Sequence, residues 1–401
     1  MKKILVLPGS YWQIPLIQKI KEMGHKALVV NPYEDSPCFS YADDHLQANI
    51  FDLDSVIRYA EEQEIDAVVS DECDIAMPLV AKIGKHFSLS SITPESAALY
   101  TDKFLMREFC KMNGLRYPEY RLCKTAEEAI DLLEQLKRPL IIKPLDSNAS
   151  HGVFKVETPE DIRAHFEEAL SFSRVEKAVL AERFIEGTEF TVDGIKTPSS
   201  HYTLAISEKK HFKHNVNIAN ELLFSHNNTS FDYAQLKEIN DKFVMLSGLQ
   251  HGFTHAEYKC EDGEYYLIEI GARGGGNMIS SVITQHMSGH DTYRYLVECA
   301  LGNVQDADFS IPNTHKEHAA VLKFFQTPAG GGKVKAFRGL EVLENEPDIK
   351  KYMFNFKVGD TIADCVSDSA RIGFYIVCSS SMQKLKTVID RVEQNFAIEL
   401  E

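Results

Sequence analysis

The run Tyr265–Asn277, YYLIEIGARGGGN, carries an apolar strand pattern that delivers one carboxylate, Glu269, then Arg273, then three consecutive glycines. A second carboxylate, Glu257, lies in the strand-like run Thr254–Lys259, and Asp262–Gly263 reads as the turn of a hairpin joining the two. Two glutamates on paired strands form an oxygen clamp suited to a hard divalent cation such as Mg2+ or Mn2+. An arginine two pleats further on can neutralise a phosphoryl group held by that cation. This is the chemistry of a nucleotide-using enzyme. His255 alternates with Glu257 and shares its strand face, which makes it a substrate contact or a packed core histidine.

Four further features come earlier in the chain. Lys103 stands in TDKFLMREF, and Lys143 ends the apolar run PLIIKP. A lysine closing an apolar strand is costly to bury unless it meets an anion, and a phosphate would serve. Taken singly, each also reads as a snorkelling surface lysine. The stretch Asp146–Val153, DSNASHGV, is small and polar enough for backbone N–H groups to converge on phosphate oxygens, or to form an ordinary hairpin loop. Leu180–Gly194, LAERFIEGTEFTVDG, reads as strand, short acidic turn and strand, placing Glu182 near Glu189. A flat base could lie along that linker, with a carboxylate for ribose hydroxyls; two solvent-facing glutamates are the plainer alternative.

The elements that must position these groups are legible in part. Lys3–Leu7, Lys26–Val30 and Ala67–Ser70 read as strands, alternating with helices over Trp12–Met23, Ser55–Gln63 and Ile75–Ile83. That order implies a parallel, doubly wound α/β sheet. The turn after the first strand has only Gly9, so a dinucleotide fingerprint is absent and the lobe reads as a scaffold. Ser96–Asn113 reads as a helix pair or bent helix with Thr101 and Asp102 as caps. Strands are expected at Tyr120–Leu122, Leu140–Lys143, Ala178–Ile185 and Glu189–Asp193, with helices at Thr125–Leu136 and Thr158–Ser171. The composition is then β-rich to Ile270, interrupted by polar Ser225–Asp232 and a helix over Tyr233–Gly248. A helix is expected from Ser280 to about Leu301, then a polar connection near Asp306–Pro312 and a last lobe with Ala319–Gln326, a PAGGGK turn, Gly373–Cys378 and a final helix, Met382–Asn395.

At 401 residues the chain should hold about two to four lobes. Its 43 basic and 59 acidic side chains give a net charge of −16, which argues against nucleic-acid binding through a basic surface. The start, MKKILVLPGS, is too short for a signal peptide, and no apolar run approaches the roughly 20 residues a membrane span needs. Eight scattered cysteines without a CxxC pair read as small core residues of a reduced, cytoplasmic protein.

In order, DK (Asp102, Lys103), IIKP (Lys143), SHGV (Ser150–Val153), AERFIEGTEF (Glu182–Phe190), HAEY (Glu257) and IEIGARGGG (Glu269, Arg273) resemble the ATP-grasp superfamily. The resemblance runs from Met1 to about Leu301, and Ser70–Gly84, SDECDIAMPLVAKIG, is similar to the first lobe of its carboxylate–amine ligase branch. It implies an N-terminal α/β domain over 1–95, ATP-grasp subdomains over 96–195 and 196–305, and a C-terminal α+β lobe over 306–401. Carried over position by position, it implies that Lys103 and Lys143 contact ATP phosphates and that Ser150, His151 and Gly152 lie in the loop closing over them. Glu182 and the backbone of Arg183, Phe184 and Ile185 would bind adenine, Glu189 the ribose, Glu257 and Glu269 magnesium, and Arg273 an acyl phosphate or substrate carboxylate. Many relatives have an asparagine two residues after the second metal glutamate; here Gly271 stands there, so water or Asn277 would complete the shell. The implied activity is ATP-dependent joining of a small carboxylic acid to an amine through an acyl phosphate, with a homodimer left open. A carboxylase or formyl-transferring enzyme and an inactive nucleotide-binding relative are the alternatives. For the acceptor, His211, Lys213, His214 and Asn215 in KKHFKHNVNIANE are substrate contacts or a solvated loop.

Overall fold

The computed structural model describes residues 1–147, 151–174, 176–213, 215–328, 330–365 and 367–401. Ser150 and His214 lie outside the described residues, as do Asn148, Ala149 and Ala329. The chain opens with four parallel strands in the order Asp44–Gln47, Lys26–Asn31, Lys3–Val6 and Ala67–Val69. Pleating sends Ile4 and Val6 to one face, against Leu16, Ile17 and Ile20 of the helix Ile14–Glu22. Leu5 and Leu7 go to the other, against Val56 of Leu53–Gln63 and Val80 and Ile83 of Met77–Phe87. Both faces are buried, which is why KILVL and KALVV read as unbroken apolar runs.

A helix pair follows, Pro94–Leu99 and Lys103–Met112. Asp102 caps the second by accepting the Leu105 N–H at 3.0 Å, whereas the Thr101 hydroxyl turns back to the Ala97 carbonyl at 2.7 Å. The next sheet is antiparallel, in the order Tyr120–Cys123, Val179–Arg183, Leu140–Pro144, Phe154–Val156. Helices Ala126–Leu136 and Pro159–Ser171 cover one face, and both start on capping boxes, Thr125 with Glu128 and Thr158 with Asp161. Leu140, Ile142 and Ala181 point into that helical core. The alternation therefore turns Ile141, Lys143 and Glu182 to the opposite face.

The largest sheet has eight antiparallel strands, in the order Glu264–Gly271, Gly252–Glu261, Thr188–Lys196, His201–Phe212, Asn215–Ser225, Ala319–Phe324, Gly373–Ser379, Ile349–Phe354. Three strands of the last part of the chain thus extend the sheet that begins with the Glu257–Glu269 hairpin. A helix, Met382–Asn395, packs on this extension through Leu385, Val388 and Val392.

Two local expectations are corrected. The segment KKHFKHNVNIANE is the tip of the hairpin joining His201–Phe212 to Asn215–Ser225. It reads as a loop because one face of the strand carries Lys209 and His211 toward a polar cavity. The helix expected from Ser280 to Leu301 is broken into a π-helical turn, Ile279–Ile283, and helices Thr284–Ser288 and Thr292–Ala300. Gly289, at φ +74°, ends the second, and Asp291 caps the third through the Arg294 N–H at 3.1 Å.

Candidate active site

A cavity of about 360 Å3 opens between the two antiparallel sheets and the first lobe. Lys103, Lys143, Glu182, Arg183, Phe184, Ile185, Glu189, His255, Glu257, Glu269, Arg273 and Asn277 all line it. Residues separated by up to 174 positions in the chain are thereby gathered into one chamber. His151 and Gly152 stand outside it: His151 stacks on Phe172 with ring centroids 5.8 Å apart, and Gly152 packs against Phe172 and Pro144. Ser147 and Val153, also within the stretch Asp146–Val153, do line the chamber.

The small sheet supplies a charged floor. Lys143 and Glu182 are both more than nine-tenths buried and bonded to each other, and Arg107, fully buried, donates from Nε to Glu182 at 2.9 Å. Burial pulls the Lys143 ammonium down to about 8 against the attraction of Glu182. Burial would raise the Glu182 carboxyl, but Arg107 and Lys143 together hold it below its usual range. Neither lysine snorkels: Lys103 is 5% exposed, and its ammonium donates to the Ser147 carbonyl at 2.8 Å and to Glu269 at 2.9 Å. The linker from Arg183 to the next strand is fastened by Glu261, which accepts from the Arg183 guanidinium at 2.7 Å and the Glu186 N–H at 2.8 Å.

The large sheet supplies the acid wall. The register sets Glu257 directly opposite Glu269. Lys209 bridges Glu257 at 2.9 Å and Glu189 at 2.6 Å. Burial opposes these charges, yet Lys209 drives Glu189 down to about 2 and Glu257 well below the ordinary carboxylate range. His211 approaches Glu189 at 3.3 Å. His255 binds Asp193 at 2.8 Å and reaches Glu257 only at 3.9 Å; burial lowers its pKa, but Asp193 outweighs that and raises it. Lys213 is exposed.

The first lobe reaches into the same chamber. Asp74 grips Arg273 in a bidentate pair, at 2.9 Å to Nε and 2.7 Å to Nη2. Asp71, fully buried, accepts from the Gly274 N–H at 2.9 Å, the Ser280 hydroxyl at 2.7 Å and the Tyr293 hydroxyl at 2.5 Å. Glu72 accepts the Met278 N–H at 3.1 Å. Asn277 and Met278 both hold positive φ, 54° and 64°, so the loop after the glycines is strained and tied down by these acids. Gly271 is accounted for here: a Cβ at that position would lie 2.5 Å from Asp74 Oδ1. The space an asparagine side chain would take is filled by the Asp74–Arg273 pair.

The donor set fits a hard divalent cation. Glu257 and Glu269 keep 30% and 31% of their side chains exposed, and two carboxylates facing each other are unfavourable without a cation between them. Among the described residues no three His, Cys, Asp or Glu side chains close into a metal cage. Mg2+ commonly takes one or two carboxylates and completes its shell with phosphate oxygens and water, which is what this pair leaves room for.

Asp71, Glu72, Asp74, Lys209, Arg107 and Arg371, all bonded at or lining the chamber, carry no motif of their own; only the acidic cluster SDECD in Ser70–Gly84 hinted at the first three. Among the described residues no helix is long and apolar enough to cross a membrane, and all eight cysteines are free thiols.

An ATP-grasp domain model matches residues 136–281, and an L-amino acid ligase C-terminal domain 2 model matches residues 324–401. The L-arginine-specific L-amino acid ligase of Bacillus subtilis is 22% identical over 326 residues, covering 79% of this chain and 76% of that protein. Dapdiamide A synthase of Enterobacter agglomerans is 26% identical over 212 residues, covering 52% of this chain and 50% of that protein. The crystal structure of an L-amino acid ligase from Bacillus licheniformis superposes with a TM-score of 0.83 at 20% identity, over 100% of this chain and 99% of the other, which shows a shared fold.

Proposed function

The chain belongs to the ATP-grasp superfamily, in its carboxylate–amine ligase branch, and on that premise we propose that it joins a small carboxylic acid, an amino acid in the first instance, to an amine with release of ADP and phosphate. The observation that carries the reading is the convergence of Lys103, Lys143, Arg273 and the opposed pair Glu257–Glu269 on one chamber. A carboxylate is a poor electrophile. Attack of its oxygen on the γ-phosphate converts it into an acyl phosphate, whose phosphate leaves readily when an amine attacks the acyl carbon.

The residues divide this work. The backbone of Arg183–Ile185 lies where a flat base can seat, and Glu189 beside it suits ribose hydroxyls. Lys103 and Lys143 meet the phosphates, with Glu182 and Arg107 setting the position of Lys143. A divalent cation between Glu257 and Glu269 would neutralise phosphate charge. Lys209 pairs with Glu257 and Lys103 with Glu269, each lysine offsetting the charge of one carboxylate. Arg273, aimed by Asp74, steadies the acid or its acyl phosphate. A cover that keeps water from the intermediate would come from the stretch 146–153, of which 148–150 lie outside the described residues. The match of residues 324–401 to an amino acid ligase domain favours amide formation over carboxylation or formyl transfer.

The test is direct. Acid and ATP without amine should give a species that hydroxylamine traps as a hydroxamate. With amine present, 18O from the labelled carboxylate should pass to the released phosphate. Release of AMP and pyrophosphate with no ADP would overturn the mechanism.

A further inference from the structure

Five histidines outside the chamber gather around the short helix Thr284–Ser288: His226, His286, His290, His315 and His318. The His286 and His318 rings stack with centroids 4.5 Å apart, and the His315 ring lies 4.3 Å from that of His318. A carbonyl only accepts, so each ring nitrogen that meets one carries the proton. His286 donates from Nε2 to the Ser379 carbonyl at 3.0 Å, His318 from Nδ1 to the His286 carbonyl at 2.9 Å, and His226 from Nε2 to the Met287 carbonyl at 3.0 Å. These bonds fasten the helix to the strand Gly373–Ser379, to the segment leading into Ala319–Phe324 and to the end of Asn215–Ser225. His290 ties the next turn to the Ser310 carbonyl at 3.0 Å. The histidines that pair with acids are elsewhere, His86, His201, His211 and His255; among the described residues none of these five does. The nearby acids are committed: Asp308 to the Ser310 N–H at 2.8 Å, Asp291 to Lys19 at 3.0 Å, and Asp348 to the Ser379 hydroxyl. Lys237, from the helix Tyr233–Leu246, acts on His226, and Lys350, from Ile349–Phe354, on His286. Lys316 and Glu317, between His315 and His318, are exposed.

We propose that these imidazoles form a pH-sensitive joint, which holds the segment Met278–Ser288 against the last strands of the large sheet while its rings are neutral and lets it go when they are protonated. The joint stands where movement would matter. Thr284–Ser288 continues the π-helical turn Ile279–Ile283, and that turn follows the glycine loop carrying Arg273. Met278, Ile279, Ile283 and Met287 share one core with Leu322 and Phe374 of the last strands. Neutral rings can stack and donate one N–H each, which the carbonyls accept. Charged rings would bring like charges face to face, beside Lys237 and Lys350, with the nearby acids already bonded elsewhere. Burial accordingly pulls His226, His286 and His315 below the ordinary imidazole value. Neighbouring rings add to this, and the Met287 and Ser379 carbonyls oppose it only in part for His226 and His286. The released form thus binds more protons than the held form. The held form keeps its full stability above the free imidazole value of about 6.5 and loses it as pH falls below.

The chain carries its own reporter. Trp12, its one tryptophan, stacks on Phe374 with ring centroids 6.1 Å apart and packs against the same core. The experiment follows Trp12 emission of the ligand-free, full-length protein from pH 8 to pH 5, with circular dichroism recording that the chain stays folded. The unmodified protein should show a reversible shift centred below about pH 6.5 and steeper than a single proton allows. His286→Gln combined with His318→Asn keeps an N–H for each carbonyl but cannot take a charge. It should move the midpoint down by about one pH unit or more and flatten the transition. The same midpoint and steepness in the double variant would overturn the joint. If the double variant does not fold, imidazole proton resonances of the unmodified protein decide. Several should titrate together at the Trp12 midpoint, whereas independent titration near 6.5 with unchanged Trp12 emission overturns the proposal. These two readouts need no substrate and so stand apart from the ligase reading. Where that reading holds, the double variant should retain ADP release at pH 5.5 at least about fivefold better than the unmodified protein, relative to pH 7.5. An equal loss in both would overturn the link between joint and chamber.

Discussion

Glu257 and Glu269 face each other across a hairpin, and each is neutralised by a lysine from elsewhere, Lys209 and Lys103. Removing one charge should therefore be tolerated by the fold and not by the chemistry. Glu269→Gln should keep its melting temperature within a few degrees and lose at least about 100-fold in kcat, roughly 2.7 kcal/mol of barrier. A magnesium titration of turnover checks it, and near-normal rates at limiting magnesium would remove Glu269 from the site. Lys143 carries a prediction in pH. Its ammonium loses its proton as pH rises through about 8 in the ligand-free protein, whereas bound phosphates favour the charged form. ATP binding at pH 8 should take up a proton, and affinity should fall as pH rises above 8. The sign for stability is opposite: the cost of a charged, buried lysine is present below pH 8 and is relieved as pH rises toward its unfolded value of about 10.4. Calorimetry in two buffers of different ionisation enthalpy measures the uptake; it should vanish in Lys143→Met, and identical heats in both buffers for the unmodified protein would refute it.

At the scale of elements, the strands that line the chamber and their turns were the most legible part. Glu257, Asp262–Gly263 and Glu269 sit within one hairpin, so local alternation places them without knowledge of the rest. Lys143 was visible because a charge at the end of an apolar strand demands a partner; the partner, Glu182, comes from the neighbouring strand. Lys209 was hidden because the strand that bears it turns a polar face to the chamber, and polarity reads as loop. Asp74 and Arg371 were hidden for another reason: their contacts with Arg273 and Ala219 span 199 and 152 positions, and no local pattern encodes them. Gly271 shows the same dependence, since its meaning rests on Asp74. Gly271→Asn should therefore disturb the Asp74–Arg273 pair, costing on the order of 1–3 kcal/mol as an overpacked site does. Asp74→Ala in the same chain should recover much of that cost. Thermal melts of the single and double variants test the coupling, and strict additivity would deny it. The linker between the two antiparallel sheets has its own dependence on a small residue. Gly187 holds φ +122°, and a Cβ there would lie 2.0 Å from the Cys260 carbonyl. Gly187→Ala should cost on the order of 2–4 kcal/mol and weaken ATP binding together with stability, because linker and sheet would have to part.

At the scale of the whole molecule, the chamber is assembled from both ends of the chain. The first lobe contributes Asp71, Glu72 and Asp74, and the last part contributes Phe324, Asp368 and Arg371. The last part is also continuous with the sheet that carries the acid wall. Ala319–Phe324 pairs along Asn215–Ser225 through five registered positions, and Gly373–Ser379 pairs in turn with Ala319–Phe324. Residues 306–401 are thus more than a lobe resting on a finished domain. Ending the chain after residue 305 would leave Asn215–Ser225 as a long unpaired edge and uncover the apolar faces of Leu222 and Phe224, which share one core with Leu322 and Phe324 in the intact protein. Exposed edges of that kind recruit other strands. The truncated chain should aggregate or bind a hydrophobic dye strongly, and it should lose the single cooperative melt of the intact protein. Sedimentation and dye fluorescence measure the first, and calorimetry the second. A truncated chain that stays monomeric and melts cooperatively at the original temperature would show that the large sheet is complete without its last three strands.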